Sequence, residues 1–125
     1  IGRNIVIGWN GSTETARAIA LAKFMLREAD KVTLLAVEGG MVPGPTAEDV
    51  VTNLRRDAVT AEIKIVTGRR SAAEAGKIIL KEAAELGADL VIKGGYTQSR
   101  LRQMIFGGAT AEILANAEIP VLMAH

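Results

Sequence analysis

Two short stretches of this chain are apolar at every position, Ile5-Val6-Ile7 and Leu90-Val91-Ile92, and Val32 to Val37 reads as a further strand. Continuous apolar runs of this length suit parallel strands buried on both faces. Ala61 to Val66 behaves differently, alternating Ile63 and Ile65 with Glu62 and Lys64. One face of that strand carries charge, which places it at or near a sheet edge. Ile119 to Ala124 reads as a last strand without any charge.

Between the strands the period changes to that of a helix. After the turn Gly8-Trp9-Asn10-Gly11-Ser12, Ser12 is a good N-cap with Glu14 in the first turn. The helix is expected to reach about Ala29, with Ala18, Ala22, Met25 and Ala29 on one face, flanked by Leu21 and Leu26. Glu38 to Thr46, rich in glycine and proline, reads as a loop, and Ala47 to about Arg56 as a short helix. Ser71 and Glu74 form a capping-box pattern, followed by an apolar stripe at Ala72, Ala75, Ile79, Ala83 and Leu86, with Gly87 as the stop. A final helix runs to about Ala117. Strands alternate with helices throughout, which predicts a single α/β domain over residues 1–125 with an open parallel sheet and helices on both faces.

Ligands of such sheets lie outside the carboxyl ends of the strands, where the strand order reverses. Two strand ends are unusual: Trp9-Asn10-Gly11-Ser12 and Gly94-Gly95. The second opens a loop, GGYTQSRLRQMIFGGAT, that closes on Gly107-Gly108 where a helix begins. A helix amino terminus has unpaired N–H donors and partial positive charge, and it favours an anion such as phosphate. The same glycine pair could equally be a tight turn packing a helix on the sheet. Asn10 could equally close an Asx turn that caps the first helix with Ser12. Arg100 and Arg102 stand in the loop, as phosphate partners or as solvated charges.

Composition narrows the classes. A formal net charge of +1 and the lack of an aromatic-interleaved basic stripe argue against a nucleic-acid partner. No run approaches a membrane span. With no cysteine, disulfides and thiolate chemistry are excluded, and a cytoplasmic setting is expected. The phosphate loop of P-loop ATPases and the nucleophile elbow of serine hydrolases are both missing. The single histidine is the terminal His125. No catalytic residue and no metal site are assigned, so at most slow ATP hydrolysis is expected.

These residues resemble the universal stress protein family over essentially the whole chain. The strand that ends before the first helix in Asp-Gly-Ser appears as Ile5 to Ser12, with Asn10 in the Asp position. The Ile-Pro-Val strand that closes the family's domain appears within Ala115 to Met123. The diagnostic element is Gly, two residues, Gly, nine residues, then Gly-Ser or Gly-Thr. Gly94 takes its first place, Thr97 that of the second glycine, Gln98 to Phe106 the nine-residue spacing, and Gly107-Gly108 the close.

The resemblance implies a sheet ordered 3-2-1-4-5, Rossmann-like in winding, and a crevice for ATP or a related adenine nucleotide. Carried over by position, the binding residues are Gly8, Asn10, Val37, Gly94, Thr97, Gly107, Gly108, Ala109 and Thr110, with the base toward Val37 and the phosphates at Gly107-Gly108. Thr97 and Gly108 depart from the pattern and imply weaker binding. The resemblance also implies a homodimer, or pairing with a sister domain of a tandem protein, through Ile119–Met123. The alternative is a stress protein of the same fold that binds no nucleotide and acts through dimerisation and protein partners.

Overall fold

The computed structural model describes residues 1–39, 41–68, 70–94 and 117–124. Five strands appear: β1 Asn4–Trp9, β2 Lys31–Val37, β3 Glu62–Val66, β4 Leu90–Gly94 and β5 Val121–Ala124. All neighbours pair in parallel, in the order β3-β2-β1-β4-β5. That is the predicted order, and the two most apolar runs, β1 and β4, lie side by side inside it.

The described helices are α1 Thr13–Leu21, α2 Lys23–Glu28, α3 Ala47–Arg56 and α4 Ala72–Glu85. They divide between the two faces of the sheet as the strand alternation requires. On one face Ile5, Ile7, Trp9, Leu34 and Ile92 pack against Ala18, Ile19 and Leu26 of α1 and α2 and Val50 and Leu54 of α3. On the other, Val6, Leu35, Val37 and Val91 meet Ala75, Ile79 and Ala83 of α4. Burying a Leu, Ile or Val side chain contributes about 1.5–3 kcal/mol, so these two layers supply most of the driving force for folding.

Three local features differ from the expected pattern. The first helix is not continuous: Ala22, at φ −95° and ψ 6°, separates α1 from α2. The bend keeps Ala22 and Leu26 on the sheet, 1% and 2% exposed, while Leu21 and Phe24 turn outward at 67%. No proline or glycine forces it, so the sequence carries no breaker signal there. The first strand continues past Ile7 to Trp9, because Gly8 and Trp9 stay in register with Leu35 and Ala36. The last strand begins at Val121, after Pro120.

The edge strand β3 also refines the charge argument. Lys64 turns toward α4 and pairs with Glu82, while Ile63 and Ile65 are exposed, 37% and 55%, as is Glu62 at the start of the strand. The strand is at the edge, as expected, but its apolar face is the one left open beside α3.

At the amino ends of the strands, Asp89 ties the chain start to β4. Its carboxylate accepts from the N–H groups of Gly2 at 2.9 Å, Arg3 at 3.0 Å and Asn4 at 3.4 Å. Partial desolvation pushes this carboxyl upward, but the three N–H donors together outweigh it and hold the group below the usual aspartate range.

Candidate functional site

The topological switch lies between β1 and β4: the chain leaves β1 toward β2 on one side, and β4 returns to β1 on the other. The carboxyl end of that junction is the expected place for a ligand. Gly8, Asn10, Val37 and Gly94 all come to this end of the sheet. Gly8 aligns with Lys93, Trp9 with Ala36, and Val37 with Val66. Thr97, Gly107, Gly108, Ala109 and Thr110 lie outside the described residues, as do Arg100 and Arg102.

Asn10 is 5% exposed and its side chain is built into a cap. Its Oδ1 accepts from Ser12 N–H at 3.0 Å and from the Thr15 hydroxyl at 2.8 Å. Ser12 Oγ accepts from Thr15 N–H at 3.2 Å, so one of the orphan donors of α1 is satisfied. The Asx turn that sequence offered as one of two readings is therefore formed. Asn10 also anchors the following loop, since its carbonyl accepts from Val42 N–H at 2.7 Å. Gly11, at φ +86°, makes this possible: a Cβ there would lie 2.3 Å from the Val42 carbonyl oxygen. Trp9 closes the same loop by donating its indole N–H to the Pro45 carbonyl at 3.0 Å.

Gly94 is a packing glycine. A Cβ on it would lie 2.5 Å from Thr15 N and 2.6 Å from Thr15 Oγ1. The amino terminus of α1 therefore rests directly on the end of β4, and no residue with a side chain fits between them. Gly8 clears a slot of a different kind. Its absent Cβ leaves room for the Lys93 stem, whose Cδ would otherwise sit 3.1 Å away. Lys93, 1% exposed, is a buried lysine next to Gly94 at the end of β4. Sequence reasoning ended the strand at Ile92 and passed over it. Val37 is 2% exposed and points its side chain into the α4 layer.

Two open clefts lie elsewhere. One, of about 260 Å³, is at the amino end among Ile1, Gly2, Arg3, Phe24, Met25 and Glu28. The other, of about 180 Å³, separates α1 and α2 from α3, with Trp9 and Pro45 at one end and the Lys23–Asp57 ion pair among its lining. Neither contains Asn10, Val37 or Gly94. Among the described residues, no group of three or more acids or histidines could hold a metal ion.

A five-stranded parallel sheet with this winding and a switch point beside β1 defines a Rossmann-like α/β domain. Residues 2–125 match the Universal stress protein family, and the chain belongs to it. It is 28% identical over 103 residues to the stress response protein NhaX of Bacillus subtilis, covering 70% of this chain and 62% of that protein. The chain thus spans less than two thirds of the length of that curated relative. Among solved structures, a universal stress protein from Archaeoglobus fulgidus superposes with a TM-score of 0.71 at 19% identity, over 98% of this chain and 44% of its own. A universal stress protein from the same organism in complex with dAMP gives 0.66 at 17%, over 98% and 97% of the two chains. A universal stress protein in complex with cAMP gives 0.69 at 21%, over 98% and 96%.

Proposed function

We propose that this chain is a stress-response module that binds an adenine nucleotide across the carboxyl ends of β1, β2 and β4. The observation that carries the proposal is that Asn10, Val37 and Gly94 come together at the carboxyl ends of β1, β2 and β4, with Asn10 and Gly94 at the switch point itself. Solved relatives of this fold in complex with dAMP and cAMP support the class of ligand. The base lies toward Val37, and Gly107-Gly108 with Thr110 receive the phosphates. Thr97 and Gly108, where the family pattern has glycine and a hydroxyl residue, weaken the binding. Losing one good donor to a charged phosphate costs about 1.5–3 kcal/mol, or roughly tenfold or more in affinity.

Calorimetric titration with ATP, ADP and AMP tests this. Saturable heat is expected, and Gly107→Asp is expected to abolish it by adding bulk and like charge beside the phosphates. No heat at millimolar nucleotide contradicts the proposal.

The module is further proposed to act in the cytoplasm as one domain, and to pair with a second copy or a sister domain through Ile119–Met123. β5 is an edge strand without charge and only partly buried, which supports such a cover. Sedimentation as a dimer is expected; a monomer at ~100 μM, well above weak association constants, refutes it.

A further inference from the structure

β3 closes the sheet on the side opposite β5, and its only strand neighbour is β2. The Val66 carbonyl accepts from Glu38 N–H at 2.9 Å, so the backbone groups of Val66 face β2. Backbone groups along a strand point alternately to its two sides. Those of Ile63 and Ile65 therefore face outward, along the open edge. The side chains alternate between the two faces of the sheet. Ala61 packs on the α3 layer, and Ile63 and Ile65 share its face. Lys64 pairs with Glu82 of α4, and Glu62 shares that opposite face.

Charges on an edge strand keep most other strands away. Their order here admits one kind of neighbour. It must present apolar residues on the α3 face and the opposite charges on the α4 face. A second copy of β3 does both in a single register. When two copies run antiparallel about a two-fold axis at Ile63, Ile63 faces Ile63 and Ala61 faces Ile65. On the other face Glu62 meets Lys64 on both sides of the axis. Moving the axis to Lys64 sets lysine against lysine, and moving it to Glu62 sets glutamate against glutamate; like charges directly opposite are unfavourable. A slip of the pairing by a single residue turns the isoleucines to the wrong face. The favoured register also makes Ile63 a hydrogen-bonded pair, because its N–H and C=O already point outward.

We propose that the β3 edge is a self-recognition surface, through which two copies of this chain join their sheets antiparallel about Ile63. Ile63 at 37% and Ile65 at 55% exposed are the apolar surface it covers. The contact is isologous, the same five residues on each copy. So short a strand makes a small interface and a weak association. It lies at the opposite edge from β5 and does not depend on pairing there.

The chain has no cysteine, so single substitutions report the register. In the proposed pair the two Ile63 Cα atoms lie about 5.5 Å apart, within disulfide reach. The two Ile65 positions are separated by four residues of strand rise, about 13 Å. Mild oxidation at ~100 μM, a concentration that populates weak pairs, is expected to link Ile63→Cys into a covalent dimer. Ile65→Cys and the exposed control Leu21→Cys are expected to link far more slowly. Adding Glu62→Lys to Ile63→Cys sets lysine opposite Lys64 twice and is expected to slow the linkage about tenfold. Thermal melting checks that each variant folds. Should Ile63→Cys not fold, a mixture of Glu62→Cys and Lys64→Cys chains, which face each other across the pair, replaces it and is expected to give the mixed dimer. Linkage of Ile63→Cys no faster than that of Leu21→Cys overturns the proposal. So does linkage of Ile65→Cys as fast as Ile63→Cys, or a rate that Glu62→Lys leaves unchanged.

Discussion

The two halves of the strand-end rim are built in opposite ways. On the β1–β4 side, the side-chain oxygens of Asn10, Ser12 and Thr15 all have internal partners. Asn10 Oδ1 accepts twice, Ser12 and Thr15 cap α1, and Thr15 fills the space in front of Gly94. On the β2–β3 side, Glu38 and Arg70 lock two loops together, yet one guanidinium nitrogen is left over. The first half is a scaffold that fixes geometry, and the second retains a donor with nothing to donate to. A residue at a binding-motif position can therefore be engaged in holding the fold, while a buried donor without an acceptor sits where no motif points.

The sharpest way to break this contrast is Gly94→Ala. A methyl group 2.5 Å from Thr15 N forces α1 off the end of β4. A loss of about 3 kcal/mol or more is expected, at the upper end for overpacking. Denaturant unfolding measures it, and a midpoint close to that of the unaltered chain would show that α1 does not rest there.

Asn10→Ala comes next. It strips the acceptor from Ser12 N–H and from the Thr15 hydroxyl, both buried, at an expected cost of about 1–3 kcal/mol. Asn10→Asp keeps the acceptor oxygen and is expected to retain stability. If both substitutions weaken nucleotide binding while only the first lowers stability, Asn10 touches ligand as well as capping the helix.

Asp89→Asn is a control at the opposite end of the sheet. The folded-state pKa of Asp89 is lowered, so its stabilisation is present above the ordinary aspartate range and lost as pH falls through the folded value. At pH 7 the variant is expected to be less stable than the unaltered chain, by less than Asn10→Ala. The difference is expected to close on acidification, with nucleotide affinity unchanged throughout. Melting curves across pH check the first part and calorimetry the second.

Arg70→Ala is expected to change stability least, within about 0.5 kcal/mol, since it removes an unsatisfied donor together with one exposed contact. A large loss of stability would make Arg70 part of the scaffold and erase the contrast between the two halves.

Much of the scaffold was legible in sequence because it rests on local chemistry. The uninterrupted apolar runs at β1 and β4 announce buried parallel strands. Ser12, with Glu14 in the first turn, and Ser71 with Glu74 announce helix starts, and both serines accept the expected backbone N–H. The Asx turn at Asn10 was legible too, and the structure forms it. What stayed hidden depends on neighbours through space. Nothing local marks Gly8 as the slot for a lysine stem from β4, or Gly94 as the seat of α1. The break at Ala22 follows from which side chains the sheet accepts. Arg70 reads as one more basic residue between a turn glycine and an N-cap. Its unsatisfied nitrogen appears only once β2 and β3 lie side by side.

The central claim is that an adenine nucleotide occupies the rim formed by the ends of β1, β2 and β4. The most direct measurement is a titration of AMP into isotopically labelled protein, followed by the backbone amide resonances. Saturable shifts are predicted at Asn10, at Val37–Gly39 and at Gly94, with Gly2, Arg3, Asn4 and Asp89 at the opposite end unmoved. No shift at millimolar AMP, or shifts confined to the amino-end cleft lined by Gly2, Arg3 and Phe24, would contradict it.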